Sequence, residues 1–596
     1  MNQPLAGGEV PSNGRRLPGP EEERLRNDGP SRRLRFGVMC TGDQLEGAFA
    51  ACIDELLAID GVELALLIVD ANPPARSALS TKLRRAVSLN GNLWAIFQRL
   101  RRLERLSCYR PRDMSAVFAR VPRIHCRVTR KNRFSQYFSP EDIERIRQYD
   151  LDFILRFAFG IIRGDILDAA RYGVWSFHHD DESKFRGRPP AFWEIYYGEP
   201  TTGAILQRLV DRLDAGVILQ RSRIRTRRWS YAENLNAIVW ATVHMPARVC
   251  RDILAGAARY LEAPPSRTEA PVFRPPTDLQ MARFLLETWW AWAKRQVGGL
   301  LFVEDWNVGI VHEPVDAFLR PDFRPSIGWL GDRKANRFWA DPFVHTLGPE
   351  GKKLLVEEFD YIADRGVIVE IDLDGRGAVR APARVAIDAG VHLSYPYLIE
   401  HKGRVYCVPE SWQKRSISLY ELDGRHRQWR EITPVIKDFP AVDPTPLLHD
   451  GLWWLWCTNA LDEPDSKLFL WYAVDLFGPW RPHPGNPVKV DVCSSRPAGR
   501  PFLVDGELYR PAQDCSGTYG GGVTINRVTR LCPAEFSEEP VAFVVPWDPR
   551  YRAGIHTLVG DGSLTVVDGK RMVIHPGLVG GRLAHKLGRL ARMVRG

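Results

Sequence analysis

The feature that most constrains this chain is a repeat in its second half. Four windows share one shape: ADPFVHTLGPEGKKLLVEE (340–358), SYPYLIEHKGRVYCVPE (394–410), VDPTPLLHDGLWWLWCT (442–458) and RPAGRPFLVDGELYRPAQD (496–514). Each has a proline near the start of an apolar run, a turn containing glycine, and a second apolar run. Three of the four end in a carboxylate. A weaker fifth copy is GIHTLVGDGSLTVVDGKR (554–571). A spacing of about 50 residues leaves room for four short strands per unit. One such unit cannot bury its own apolar faces, so neighbouring copies must stack. Five copies predict an all-β, five-bladed propeller over residues 300–575. LLFVEDWNVGIV (300–311) supplies an extra strand that closes the ring.

In a propeller the first strand of each blade faces the axis. The residues opening the repeats therefore converge on one central pocket: Asp341, Tyr395, Asp443, Arg496 and His556. The carboxylates ending the second strands, Glu357, Glu358, Glu410 and Asp514, fall near the same rim or the blade edge. Two acids, an arginine, a histidine and an aromatic ring are equipment for binding a sugar. Unpaired buried acids are costly, so each is expected to face solvent, a ligand or an opposite charge.

The first half has a different grammar. RLRFGVMCTGDQLEGAFAACIDELLAIDGVELALLIVDA (33–71) reads as strand, helix, strand, with continuous apolar runs in the strands and helical spacing between them. That is the opening of a parallel α/β sheet. Ser139 followed by Asp142 marks a helix start, DFILRFAF is a buried strand, and GVWSFHH is another. This α/β domain spans 34–262. A Pro-rich linker and a tryptophan-rich helix, LQMARFLLETWWAWAKRQ (279–296), occupy 263–299. The aromatic stripe of that helix is expected to pack against one of the two domains. Residues 1–33 lack an apolar core and read as a disordered tail. The last segment, 576–596, spaces Leu583, Leu587, Leu590 and Val594 helically among basic residues. It is a basic amphipathic tail, able to lie on an anionic membrane or else packed on the propeller or frayed. The stretch from about 77 to 135 is basic and partly helical, and reads as a solvated amphipathic helix.

The net charge of +10 favours anionic partners, and charge alone does not choose between nucleotides, phosphorylated sugars, membrane surfaces and nucleic acid. No apolar run approaches the ~20 residues that span a bilayer. The 10 cysteines form no CxxC pair, which suggests reduced thiols in a cytoplasmic protein.

The stretch GVWSFHHDDESKFRGRPPAFWEIYYGEPTTGAILQRLVDRLDAGVIL (173–219) resembles the formyl-tetrahydrofolate-dependent formyltransferase family, which includes the methionyl-tRNA, glycinamide ribonucleotide and sugar N-formyltransferases. The matching residues are Gly173, His178, the Phe185-Arg186-Gly187 step, Pro190, Trp193, Thr202-Gly203, and Asp214 with Gly216. The resemblance implies His178 as general base, Asp214 as the carboxylate orienting it, and a formyl-tetrahydrofolate site touching Phe159, Gly160, Gly187 and Gly203. The family's asparagine is replaced by Ser176. Ser176 and His178 are two apart in a strand and so share a face. The oxyanion then needs the Ser176 hydroxyl, helped by water, a backbone N–H or His179. His178-His179-Asp180-Asp181 cannot all bind one ion, because strand neighbours point opposite ways, so no metal is expected.

The β half resembles the N-terminal domain of plant glucosamine inositolphosphorylceramide transferases through FWADPF, EEFDY, HLSYPYL, RPAG and YRPAQDCS. It is distantly similar to five-bladed glycosidases. Together these resemblances imply formyl transfer to an amine, of an amino sugar or sugar nucleotide, with a propeller that recognises a glycan or glycolipid precursor. The alternative is glycoside hydrolase or glycosyltransferase-accessory chemistry in the propeller, Asp341 acting with Glu410 or Asp443, beside a formyltransferase fold kept as a binding module. No nucleic acid partner is expected. The protein is placed in the cytoplasm, with peripheral membrane contact through its tail.

Overall fold

The computed structural model describes residues 33–72, 92–101, 105–131, 135–212, 215–331, 336–346, 352–374, 377–423, 428–575 and 577–580. Asp214, the N-terminal tail up to residue 32, the basic stretch 77–91 and the amphipathic tail from residue 581 lie outside the described residues.

The first half forms one seven-stranded sheet. Its strands are β1 (Leu34–Cys40), β2 (Val62–Asp70), β3 (Arg123–Cys126), β4 (Phe153–Arg156), β5 (Val174–His178), β6 (Thr201–Arg208) and β7 (Val217–Arg225), in the order β7-β6-β5-β4-β1-β2-β3. The five strands from β3 to β5 run parallel. β6 and β7 run antiparallel, which the sequence reading of a parallel sheet had not separated. β6 begins only a turn after the Trp193–Tyr197 helix, and β7 alternates buried and exposed residues as an edge strand does. Helices α1 (Gly47–Leu57), α2 (Asn92–Arg101), α3 (Tyr231–Trp240) and α4 (Met245–Leu254) cover the sheet. Under it, Phe153 stacks on Trp175 at 3.9 Å and on Phe36 at 5.3 Å. Ser139 accepts from the Asp142 N–H at the start of the Pro140–Arg147 helix, as its sequence position predicts.

Helix α5 (Asp278–Leu301) opens with a capping box between Thr277 and Gln280. It contacts the first half through Met281 and Phe284, the latter stacked on Phe192 at 4.3 Å. The expectation that its tryptophans pack against a domain fails: Trp289, Trp290 and Trp292 are all exposed. The buried residues of α5, Met281 and Phe284, lie in its first two turns, and the tryptophans come after them.

The second half is all β. Strands β8 (Phe302–Val311) and β9 (Gly328–Trp329) are followed by β10 (Arg337–Thr346), β11 (Lys352–Asp360), β12 (Arg365–Leu373) and β13 (Arg384–Ile387), which make one antiparallel sheet. β14 (Ser394–His401), β15 (Arg404–Glu410), β16 (Ser416–Asp423) and β17 (Gln428–Lys437) make the next. β18 (Ala441–His449), β19 (Leu452–Asn459), β20 (Lys467–Ala473), β21 (Arg481–Pro482) and β22 (Lys489–Val490) make a third. β23 (Phe502–Val504), β24 (Glu507–Asp514), β25 (Gly522–Cys532) and β26 (Glu535–Val544) make a fourth. In the fifth, β27 (Leu558–Asp561) and β28 (Leu564–Ile574) are joined by β8, so that Phe302 lies opposite Ile574. The strand expected from 300–311 is therefore there, and it ties the start of this region to its end.

The two halves meet along β7. Arg223, Arg225 and Arg227 alternate along that strand and just beyond it, so they point the same way. They pair with Asp491 (2.8 Å), Asp465 (2.9 Å) and Glu463 (2.5 Å) of the third sheet and its following loop.

Candidate functional site: a ring of buried carboxylates and a histidine strand

Three of the repeats open with the same backbone distortion. Asp341, Tyr395 and Asp443 have φ of 51°, 45° and 49°, and each sits in a bulge of its opening strand. Left-handed conformations of non-glycine residues cost on the order of 1–3 kcal/mol each and persist where the surroundings demand them. Here the bulge turns the residue's N–H towards a carboxylate. Asp341 N donates to Asp568 (3.2 Å), Tyr395 N to Asp341 (3.2 Å) and Asp443 N to Glu410 (3.1 Å).

Side chains complete the ring. His556 lies between two acids, with Nδ1 2.5 Å from Asp568 and Nε2 3.4 Å from Asp341, and its ring stacks on Trp306 at 4.0 Å. Asp341 also accepts from the Thr557 hydroxyl at 3.0 Å. Arg496 donates from Nε to Asp443 at 2.7 Å, and its guanidinium lies over the Tyr519 ring at 4.7 Å. Gln513 donates to Asp443 at 2.9 Å. Arg496 reaches Asp465 as well, at 3.3 Å, and Asp465 is the partner of Arg225, so the seam between the halves continues into the ring. Asp341, Asp443, Arg496 and His556 are thus brought together, with Glu410 among them. Tyr395 joins through its backbone only. Its phenol is fully buried, bonded to the Thr445 hydroxyl at 2.9 Å and accepting from Gly499 N at 2.8 Å, so it braces the sheets.

Burial sets the protonation of this cluster. It raises Asp341 to about 6, against the pull of His556 and with help from Asp443 and Asp568. It pushes Glu357 well above the usual carboxylate range, reinforced by Asp341 and Glu410. Glu410 is likewise pushed well up by burial and by Asp443, against Arg496. For His556 burial works the other way, but the carboxylates of Asp568 and Asp341 outweigh it and hold its pKa above the ordinary value. The ring therefore contains acids whose pKa values burial raises by different amounts, Asp341 to about 6 and the two glutamates well above the usual carboxylate range. Separating such values is how one site holds both a proton donor and a proton acceptor. Asp341, His556 and Asp568 are also the one described group whose metal-ligating atoms come within 4.8 Å of one another. An imidazolium held by two carboxylates accounts for that geometry by itself.

The remaining carboxylates of the repeat ends diverge. Glu358 takes hydrogen bonds from Arg337 and Trp339 on the other face of β11, and Asp514 accepts from Ser516 N in its own turn. Trp306, Tyr519, Gln513 and Asp568 were missed by the sequence reading. They lie on second strands and loops, outside the repeat openings that drew attention.

In the first half, Ser176 and His178 share one face of β5, as their spacing requires. His178 Nε2 lies 3.2 Å from the Phe185 carbonyl and 3.8 Å from Asp180. The Ser176 hydroxyl accepts from Arg156, at 3.1 Å from Nε and 2.6 Å from Nη2, and Arg156 also donates to the carbonyls of Phe159 (3.3 Å) and Gly160 (3.0 Å). Arg156 is thus the donor group beside Ser176, a residue hidden in the apolar run DFILRFAF. His179 lies on the opposite face against Thr242, 3.3 Å away, and burial lowers it to about 3, so it is neutral and remote from Ser176. Glu194 is fully buried near Asp180 and Asp181 and is pushed up to about 8, chiefly by burial. Two of the four residues expected to touch a folate are glycines pressed against other backbone. A Cβ on Gly187 would lie 2.2 Å from the Phe273 carbonyl oxygen, and one on Gly203 would lie 3.0 Å from Asp181 Cα. Phe159 and Gly160 lie just beyond β4, with their carbonyls bonded to Arg156. An open hollow of 690 Å³ lined by residues between His312 and Gly328 shares no residue with either group.

Comparison with known proteins places similarity on the β half. The N-terminal family of glucosamine inositolphosphorylceramide transferase 1 matches residues 331–554, which include Asp341, Glu410, Asp443 and Arg496 and stop short of His556. Glucosamine inositolphosphorylceramide transferase 1 of Oryza sativa subsp. japonica is 31% identical over 258 residues, covering 40% of this chain and 34% of that protein. The chain thus spans about a third of the length of the curated relatives it matches. Among solved structures, an exo-β-1,3-galactanase from Clostridium thermocellum aligns with a TM-score of 0.29 at 12% identity, over 36% of this chain and 53% of that one. A phosphoribosylglycinamide formyltransferase from Anaplasma phagocytophilum aligns with a TM-score of 0.26 at 17% identity, over 38% of this chain and 89% of that one.

Proposed function

We propose that this chain is an enzyme of glycan or glycolipid synthesis and that the carboxylate ring handles the sugar. The five antiparallel sheets are read as blades of a propeller, with β8 joining the last to the first. The observation that carries the reading is the split of protonation within one buried cluster. Burial pushes Glu410 and Glu357 well above the usual carboxylate range and raises Asp341 only to about 6. In transfer of a glycosyl group, a protonated acid gives its proton to the leaving oxygen and a carboxylate takes one from the attacking hydroxyl, as the bond from the anomeric carbon moves between them. Glu410 suits the first role and Asp341 the second. The similarity to glucosamine inositolphosphorylceramide transferases supports a glycolipid acceptor and a sugar donor. The test is to incubate the full chain with nucleotide sugars and glycolipid acceptors and to follow product by mass. Glu410→Gln and Asp341→Asn should each lower turnover by ~100-fold or more. Full activity in both variants would remove the ring from the chemistry.

A second reading concerns the histidine strand. We infer that it transfers a formyl group to an amine, an amino sugar being the acceptor class the ring would present. What supports it is the juxtaposition of Ser176, His178 and Arg156. Bound formyl-tetrahydrofolate would supply the formyl group, held at Phe159 and Gly160. His178 takes the proton of the amine, and Arg156 holds two N–H donors at the Ser176 hydroxyl, on the side where negative charge develops. Mass gain of one formyl group on an amino-sugar nucleotide tests it. Loss of that gain in His178→Ala supports the reading, and equal gain in the variant refutes it.

A further inference from the structure

Helix α5 buries one narrow face and leaves the opposite one uncovered. Leu279, Leu286, Trp290 and Val297 are 82%, 66%, 59% and 53% exposed. At 3.6 residues per turn these four lie within about 40° of one another, on the side away from Met281 and Phe284. Trp289, also exposed, lies about 80° to one side of the stripe, and Trp292 falls in line with Met281, beyond the buried part of the helix. A helix that has found its core partner normally turns polar residues outward, and this one turns its largest apolar side chains outward.

The stripe does not stop at α5. α2 packs beside it, with Phe97 edge-on to Phe284 at 6.1 Å and Leu93 N bonded to Asp278. α2 contributes Leu93, Ile96 and Leu100, all exposed. At the other end α5 runs into Phe302, which faces Ile574 across the β8–β28 pair, and both are exposed. The rim carries Arg99 and Arg101 on α2 and Lys294 on α5, with Arg283 beside them in an ion pair. Glu287, the acid on that side of α5, is already paired with Arg283 at 2.8 Å.

We propose that the α2–α5 face is a docking surface for a membrane bearing anionic phospholipid. Indole rings combine an apolar body with one N–H donor and favour the boundary between acyl chains and headgroups. Arginine and lysine at the edge meet the phosphates. No helix among the described residues is long and apolar enough to cross a bilayer, so α5 lies along the surface. The end of β28 lies beside the end of α5, with Ile574 opposite Phe302. The inference stands independently of the chemistry assigned to the ring.

The experiment uses the full chain with vesicles of phosphatidylcholine alone or mixed with phosphatidylglycerol, read by co-sedimentation. Native protein should pellet with the mixed vesicles and far less with neutral ones. Leu286→Glu/Trp290→Glu should reduce partitioning by at least about tenfold, since two large apolar contacts are lost. Both side chains are exposed, so the thermal unfolding midpoint should stay at the native value. Arg99→Glu/Lys294→Glu should weaken binding to the mixed vesicles alone. A chain lacking residues 581–596 should still bind through this face. The proposal is overturned if native protein ignores both vesicle types, if the double glutamate variant binds like the native chain, or if removing 581–596 abolishes binding. It is also overturned if native protein is a dimer that the double variant dissociates, because a second copy then covers the face.

Discussion

Replacing Asp341 by asparagine should make the protein more stable at alkaline pH while disabling it. Asp341 sits 4% exposed in the ring, and burial raises it from an unfolded value near 3.8 to about 6. The folded state thus holds this proton more tightly than the unfolded state does. Its contribution to stability is full below about pH 4 and is lost as pH rises through about 6. A shift of roughly two units corresponds to about 3 kcal/mol of stability lost on going from pH 4 to pH 8. His556, whose pKa is also raised, loses its contribution in the same direction as pH rises. Asparagine carries no charge to desolvate. It keeps one oxygen to accept from Tyr395 N, and the Thr557 hydroxyl can turn to accept from its amide. One weakened hydrogen bond costs about 1 kcal/mol, leaving a net gain of about 2 kcal/mol at pH 8 and a net loss of about 1 kcal/mol at pH 4. Urea unfolding at a series of pH values, followed by far-ultraviolet circular dichroism, measures this directly. The two halves can unfold separately, so the transition shifted by the substitution is the one to compare. If Asp341→Asn and the native chain lose stability equally between pH 4 and pH 8, Asp341 is not the titrating group and the acid–base assignment falls with it.

Arg496→Met should remove the counter-charge of a fully enclosed Asp443 and cost about 3–5 kcal/mol, read as a lower unfolding midpoint; a change under 1 kcal/mol would show that the pair is not buried as described. Glu194→Gln should be close to neutral at pH 7 and stabilising at pH 9, because the native carboxyl, titrating at about 8, has by then been forced to ionise in a buried site; thermal melts at the two values decide it. Ser176→Ala should disturb Arg156, and Arg156→Leu should lower formyl transfer by ~10- to 1,000-fold if that guanidinium is the donor group, whereas unchanged turnover would leave the histidine strand a packing element. Arg225→Ala removes both the Asp465 bridge and a hydrogen bond to the Cys515 carbonyl at 2.6 Å, and should let protease cut between the halves sooner than in the native chain.

Much of this protein is determined locally. The repeat of a proline-led apolar run, a glycine turn and a second apolar run was enough to place the strands of the β half. It also picked out Asp341, Asp443, Arg496 and His556 as neighbours, because equivalent positions in stacked copies occupy equivalent places. The spacing of Ser176 and His178 fixed their common face for the same reason, since a strand alternates with period two. What the sequence could not supply are the partners that the fold brings from far along the chain. Arg156 reaches Ser176 from another strand, and Asp568 and Trp306 reach His556 from both ends of the β half. Tyr395 opens its repeat like the acids do, yet its phenol turns into the core, because Gly499 and Thr445 offer it hydrogen bonds that only packing creates. The tryptophans of α5 show the same limit. Their helical spacing was plain, but which part of a helix is covered depends on what lies beside it, and here the covered residues are Met281 and Phe284. Titration depends most on tertiary structure, since a carboxyl group's pKa is set by the water removed and the charges gathered around it, and both are properties of the assembled ring.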